Sequence, residues 1–165
     1  MVVLGGETLL ERAVRVAMEA ALDPVIVVIA PDGEVAAGLC EAGCVVVVNK
    51  LAAEGMASSI CRGVELAGQL GAQGVVLMTC DQVALKADHL RALCADAARM
   101  TGSGYAGKVG IPAYFPAASF AGLMELRGDA GAREMLRVAA AVVDEGLALD
   151  VDTEGDVEQA RVLLG

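Results

Sequence analysis

The chain has 165 residues, enough for one domain with a hydrophobic core, and 56% hydrophobic against 21% charged residues excludes disorder. Mean hydropathy is +0.61, yet no apolar run reaches the ~18 residues that span a bilayer, and the N-terminus lacks the basic start, apolar core and cleavage site of a signal peptide. A net charge of −10, no Trp, two Tyr and two Phe argue against a nucleic-acid partner, because such a surface repels phosphate backbones and offers few rings to stack on bases.

In chain order, Thr8-Leu9-Leu10-Glu11 reads as a capping box that opens a helix running to about Ala21, with Leu10, Val14, Ala17 and Ala21 in one stripe. Pro24–Ala30 follows as a strand, then a weaker helix over Glu34–Ala42 and a strand over Cys44–Val48. A helix begins after Ser58–Ser59, with Ile60, Val64 and Ala67 on one face. A strand over Val75–Thr79 and a helix over about Ala87–Met100 come next. The strands are nearly all apolar, as parallel strands covered on both faces are. This alternation predicts βαβ units and a three-layer α/β/α sandwich with a mostly parallel sheet. After Met100 the pattern changes. Gly102-Ser103-Gly104 reads as a breaker, and Tyr105–Phe115, with Gly107, Gly110 and Pro112, as a hairpin or irregular antiparallel insert. Two short helices, about Ala117–Leu126 and Ala130–Val138, precede a strand near Leu147–Val151. A closing helix has Thr153 as its natural N-cap. There is no repeat, low-complexity tract or linker, so residues 1–165 read as a single domain.

The five cysteines, Cys40, Cys44, Cys61, Cys80 and Cys94, are odd in number and form no CxxC pair. That suits reduced cysteines packed as small hydrophobes in a cytoplasmic protein. The single His89 has no clustered partners for zinc, and no Ser, Cys or Thr sits in a nucleophile elbow.

Four segments are candidates for chemistry. Thr79-Cys80-Asp81-Gln82 lies at the carboxyl end of a strand, where open α/β sheets bind ligands. Asp81 there either holds Mg²⁺ or caps the next turn, with the two readings evenly balanced. Asn49 to Ser59 leaves a strand and enters a helix at a Gly/Ser-rich turn. Its amides and hydroxyls can meet an anion, although Ser58 or Ser59 as a simple helix cap is the favoured reading on spacing alone. Asp150 and Asp152 share one strand face. One of them completes a two-carboxylate metal site with Asp81, or both, with Asp156, form an acidic helix start. Gly110–Phe115 reads as a rigid turn and Arg127–Arg133 as a loop entering a helix, where Arg127 and Arg133 meet an anionic substrate or are solvated.

Together these segments resemble the MobA-like nucleotidyltransferases, in the molybdenum cofactor cytidylyltransferase branch. The matching pieces occur in the family's order: GGETLLERAV (Gly5–Val14), Asn49 with EGMASS (Glu54–Ser59), TCDQ (Thr79–Gln82), GIPAYF (Gly110–Phe115), RGDAGAR (Arg127–Arg133) and LDVDTEGD (Leu149–Asp156). The resemblance implies a Rossmann-like nucleotidyltransferase fold and attack of a molybdopterin phosphate on the α-phosphate of CTP, assisted by Mg²⁺. It places Asp81 at the catalytic metal position and Asp150 or Asp152 at the second acidic one. Asn49, Gly55, Ser58 and Ser59 fall at the turn near the nucleotide, and GIPAYF and RGDAGAR line the acceptor side. A molybdenum enzyme partner and a homodimer are further implications.

Two departures stand out. Val83 replaces the proline that usually follows the Asp-Gln pair, and the N-terminal LAAGxSxRMGxxK loop, whose basic residues grip the triphosphate, is missing. Met1–Leu4 is then the tail of that loop, with the central first strand absent too, or it substitutes for that strand. The second arrangement is expected, because a sheet without its central strand leaves two rows of unpaired backbone groups. A start upstream of Met1 is a third reading. The missing loop also opens an alternative function: a catalytically impaired remnant that binds nucleotide, or an interaction module for maturation of a molybdenum enzyme.

Overall fold

The Thr8 capping box forms as its sequence suggests. Thr8 Oγ1 accepts the Glu11 amide at 3.2 Å, and Glu11 Oε2 accepts the Thr8 amide at 2.8 Å. These bonds, the Thr8 amide first, hold the Glu11 carboxyl below its ordinary value. In this computed structural model, which describes residues 3–33, 43–149 and 156, the helix they open, α1, spans Leu9–Glu19. The helix expected over Glu34–Ala42 and the closing helix after Thr153 lie outside the described residues.

Strands β3 (Ile26–Ile29) and β4 (Val45–Val48) pair in parallel, from Ile26↔Val45 to Ile29↔Val48. Helix α2 (Met56–Gln69) then leads to β5 (Gly74–Leu77). β5 joins a second ladder with β6 (Thr101–Tyr105), β7 (Lys108–Pro116) and β8 (Ala140–Val143), in the order β5-β7-β6-β8. There β5–β7 and β6–β7 are antiparallel and β6–β8 is parallel. Successive side chains of a strand point to opposite faces, and β5 shows the resulting layers. Val76 and Met78 pack with α1 and α3 (Ala87–Leu93), against Val16, Ala17, Leu90 and Leu93. Val75 and Leu77 pack on the other face with α2 and α4 (Phe120–Met124), in the cluster of Val64, Phe115 and Leu123. The protein is a three-layer α/β/α sandwich.

Several local expectations are corrected. Gly102-Ser103-Gly104 is not a breaker but the buried middle of β6. A Cβ on Gly102 would lie 2.6 Å from Val109 Cγ1, so glycine lets β7 come close. Gly110-Ile111-Pro112 is not a turn but part of β7. The register steps from Gly102↔Ala113 to Ser103↔Gly110, which bulges Ile111 and Pro112 out of the ladder, where a residue without an N–H is tolerated. Helix α3 ends at Leu93, well short of Met100. Of the strand expected near Leu147–Val151, Leu147 and Ala148 instead close a 3-10 turn over Glu145–Ala148, capped by Asp144 Oδ1 accepting the Gly146 amide at 3.0 Å, and Asp150 and Val151 lie outside the described residues.

The N-terminus departs most. Val3–Leu4 (β1) turns at Gly5-Gly6 and pairs antiparallel with Glu7–Thr8 (β2), Val3 opposite Thr8. It pairs with neither β3 nor β5, so the expectation that Met1–Leu4 replaces the first sheet strand is wrong. Leu4 is instead buried against Val83. Among the described residues the sheet is in two pieces, with a cavity of 640 Å³ between β3 and β5. Sealed and dry, 640 Å³ would cost on the order of 15 kcal/mol at about 24 cal/mol per Å³, which is all the stability a typical domain holds.

His89 fastens α3 to the bulge. Ser103 Oγ donates to the Pro112 carbonyl at 2.6 Å and lies 2.8 Å from His89 Nε2. The serine proton is committed to Pro112, so Nε2 carries the ring proton and donates to Ser103. Asp144 Oδ2 lies 3.9 Å from Nδ1. Serine, histidine and aspartate are thus in line, but the polarity is the reverse of a nucleophilic triad, in which the imidazole accepts the serine proton. Burial holds the His89 pKa below its ordinary 6.5, with Asp144 opposing. The unfolded chain therefore takes up this proton at higher pH than the folded one. The stabilisation is complete above about pH 6.5 and is lost as pH falls through and below that value. The urea midpoint should fall between about pH 7 and pH 5, and His89→Gln should flatten that dependence. As the only histidine, His89 gives an unambiguous NMR titration, and a midpoint at or above 6.5 would contradict the assignment.

Candidate active site

Asp81 lies four residues past Leu77, the last residue of β5, at the carboxyl edge of the sheet. The Thr79 hydroxyl donates to Asp81 Oδ1 in a short hydrogen bond, which fixes the carboxylate's rotamer. The loop after it is pinned on both sides. Gln82 Nε2 donates to the Ile111 carbonyl at 3.1 Å and to the Leu147 carbonyl at 3.3 Å. Arg12 Nε donates to the Val83 carbonyl at 2.9 Å, and the Val83 side chain is buried among Leu4, Leu9 and Leu149. Gln82 Oε1 is buried without a partner among the described residues. Beside Asp81, desolvation and then the Asp81 charge push the Cys80 thiol up, away from a nucleophilic thiolate.

The second part of the site is a polar clasp between β4 and α2. Buried Asn49 donates through Nδ2 to Ser58 Oγ at 2.8 Å and to Ser59 Oγ at 3.0 Å, and its Oδ1 accepts the Leu51 amide at 3.0 Å. Ser58 Oγ in turn lies 2.8 Å from the Leu51 and Gly55 carbonyls. Neither serine is the helix cap expected from spacing. Gly55 is, at φ +108°. A Cβ on Gly55 would lie 2.4 Å from the Gly128 carbonyl carbon and oxygen, so only glycine allows the 127–133 loop to sit on this turn. The contact is locked by the Ala57 amide donating to the Gly128 carbonyl at 2.9 Å, which removes that amide from the set available to an anion.

The lining of the central cavity includes Met56, Ser59, Thr79, Lys108, Asp129 and Arg133. The structure thus brings together the residue that holds Asp81, one serine of the clasp and the 127–133 loop. Asn49, Gly55 and Ser58 do not line the cavity; they frame it. Arg127 also stays out, its guanidinium donating to the Met124 and Leu126 carbonyls behind α4. Lys108 was missed by sequence reasoning. It opens β7 two residues before Gly110 and sits 5.3 Å from the Tyr105 ring centroid. The cue was a cation at the start of the strand carrying GIPAYF. Among the described residues no three His, Cys, Asp or Glu side chains gather as a metal cluster, and Asp150 and Asp152 lie outside them. No helix among them is long and apolar enough to cross a membrane.

Residues 1–145 match the family model of the MobA-like NTP transferase domain. The purine catabolism protein PucB of Bacillus subtilis (strain 168) is 36% identical over 118 residues, which cover 67% of this chain and only 58% of PucB. The Rv0371c homolog from Mycobacterium sp. strain JC1 superposes with a TM-score of 0.77 at 26% identity, covering 100% of this chain and 88% of that one. Rv0371c from Mycobacterium tuberculosis H37Rv gives 0.73 at 26% identity over 98% and 88%, and it has also been solved in complex with manganese. The 2-C-methyl-D-erythritol 4-phosphate cytidylyltransferase of Thermus thermophilus shares the fold, with a TM-score of 0.70 at 19% identity over 98% and 90%. With its sandwich, its strand-end aspartate and a match over most of its length, the chain belongs to the MobA-like NTP transferase family.

Proposed function

We propose that the protein transfers CMP from CTP to a molybdopterin-type acceptor with release of pyrophosphate. An acceptor phosphate oxygen bonds to the α-phosphorus, and the bond from that phosphorus to the β-phosphate bridging oxygen breaks, its electron pair leaving on pyrophosphate. The observation that carries this reading is Asp81, fixed by Thr79 at the sheet edge where ligands of such folds bind.

Mg²⁺ fits this donor set, since it takes hard oxygens from one or two carboxylates and completes its shell with water and substrate phosphates. Asp81 would hold it, with Asp150 or Asp152 as the second carboxylate. Supporting this, the chain that leads to Asp150 is tied to the Asp81 loop by the Gln82–Leu147 bond and by Leu149 packed on Val83. When bound, the metal supplies neutralisation of the charge that develops on the phosphates. The protein's own residues then mainly position the reactants. Ser59, whose oxygen accepts from Asn49, keeps its O–H free of that bond for a ribose or base oxygen. Lys108 and Arg133 offer positive charge along the cavity for the acceptor. The alternative is a nucleotide-binding remnant serving a molybdenum enzyme; among the described residues no three His, Cys, Asp or Glu side chains gather around Asp81.

Titration with CTP and with GTP, with and without Mg²⁺, combined with a pyrophosphate assay on molybdopterin, separates these readings. Metal-dependent CTP binding with turnover is expected, and Asp81→Asn should lower turnover by about 10²–10³-fold, the scale of one electrostatic stabiliser. Binding without turnover identifies the remnant, and no binding refutes both. Gly55→Ala should destabilise the fold by about 1–3 kcal/mol, because it places a Cβ on a left-handed backbone against Gly128. In urea unfolding that loss should accompany weaker CTP binding, since the 127–133 loop must move. Unchanged stability would refute the docking of loop on turn.

A further inference from the structure

β8 closes the second ladder, so among the described residues its far side is a strand edge. The Ala140 and Asp144 amides donate to the Met100 and Gly104 carbonyls on the β6 side, at 3.1 and 2.9 Å. Successive residues of a strand turn their backbone groups to opposite sides, so the N–H and C=O of Ala141 and Val143 point away from β6.

Natural sheet edges carry lysine, proline or a bulge that blocks pairing with another chain. This edge carries none of them. The run Val138-Ala139-Ala140-Ala141-Val142-Val143 has no charge and no proline, and the β6–β8 register is unbroken. Val138 and Val143 are 87% and 71% exposed, the highest values among the large hydrophobic residues described. Ala141 and Val143 share one face, and Gly104 of β6 adds no side chain beside them: a Cβ there would lie 3.2 Å from Val143 Cγ2 and 3.5 Å from Ala141 Cβ. The strip is therefore apolar, flat and low.

The charges at its two ends select the occupant. The chain enters β8 past exposed Arg137, whose partner is Glu134 on its own segment at 2.9 Å. It leaves at Asp144 and exposed Glu145, whose Oε2 accepts the Ala106 amide at 3.0 Å. An antiparallel copy of the same strand sets Arg137 of each beside Asp144 and Glu145 of the other. A parallel copy would set like charges together.

We propose that two copies of this chain pair antiparallel through β8, about a two-fold axis at Ala141. Residues opposite each other in an antiparallel pair share a face, and an axis normal to the sheet keeps each residue on its face. The axis must then pass through a residue matched with itself, and Ala141 has its backbone groups turned outward. Ala141 of each copy donates to and accepts from Ala141 of the other, and each Val143 amide donates to the Ala139 carbonyl of the other. Arg137 falls opposite Glu145. The pairing is independent of any catalytic reading of the Asp81 site. One edge strand makes an interface at the small end of the specific range, so the dimer is weak and concentration-dependent.

Sedimentation velocity of the full chain from about 5 to 500 µM tests it. The 16.7 kDa monomer should give way to a species of twice that mass. Ala141→Pro removes the central donors and leaves the bonds to β6, and an edge tolerates proline. It should weaken dimerisation about tenfold or more with the urea midpoint kept. Val143→Lys, at a side chain exposed in the monomer, should do the same, and it carries the test if the proline variant does not fold. Arg137→Glu should weaken the dimer, and adding Glu145→Lys should restore it. Exchange of the Ala141 and Val143 amides should slow as concentration rises, while that of Val45–Val48, in the other ladder, stays unchanged. A monomer at every concentration, a dimer indifferent to both edge variants, or protection of Val45–Val48 in place of β8 overturns the proposal.

Discussion

The Gln82 side chain is the joint on which the site depends. One amide nitrogen donates to two carbonyls that are far apart in sequence, on Ile111 and Leu147. β7 bulges at Ile111-Pro112, where the Ile111 carbonyl accepts from both Gln82 Nε2 and Tyr105 Oη, and the Pro112 carbonyl accepts from Ser103 Oγ. One residue thus fixes where the loop after β5 goes, how the β6–β7 hairpin lies against it, and where the chain turns after β8. Asp81 is its immediate neighbour and inherits that placement. A buried amide hydrogen bond contributes only about 1 kcal/mol on average, but losing Gln82 would take this donor from the Leu147 carbonyl, at a desolvation penalty of about 1–3 kcal/mol, while the Ile111 carbonyl keeps Tyr105 Oη.

What could be read from the sequence was what local chemistry decides. The Thr8 box, the apolar runs at β3, β4 and β5 and the aspartate at a strand end depend on side-chain pattern and the next few residues. What could not be read was decided by partners. Gly102 looks like a breaker until β7 is laid across it. Pro112 looks like a turn until a register step frees it from donating. Ala140–Val143 carries no signal stronger than its surroundings and becomes a strand because β6 offers an edge. Ser58 and Ser59 resemble caps on spacing, yet Asn49, nine residues before Ser58, claims both hydroxyls. The N-terminal hairpin is of the same kind: the turn at Gly5-Gly6 pairs Val3–Leu4 with Glu7–Thr8 and not with β3 or β5.

The electrostatics of the site follow from the same frame. The chain carries a net charge of −10, so a polyphosphate arrives against the mean field. The cations along the cavity, Lys108 and Arg133, come from β7 and from the 3-10 segment Ala132–Val138, and both elements belong to the ladder side of the cavity. On the opposite side the lining is aliphatic, from Val25, Ile26 and Val28. The lining is thus mixed, with Lys108, Asp129 and Arg133 beside the hydroxyls of Ser59 and Thr79, and Asp23 among the aliphatic residues near Leu22.

A sheet in two pieces also shapes how the molecule comes apart. Backbone ladders transmit order from strand to strand, and among the described residues none crosses from β3 to β5. The β3–β4 pair is joined to the rest through side-chain packing, of Val27 on Val14 of α1 and of Val28 beside Gly63 of α2. Such contacts couple less tightly than shared hydrogen bonds. Among the described residues, side-chain packing and not a shared ladder joins β3 and β4 to the second ladder, and the seam runs along the cavity lined by Ile26, Val28 and Gly74–Leu77.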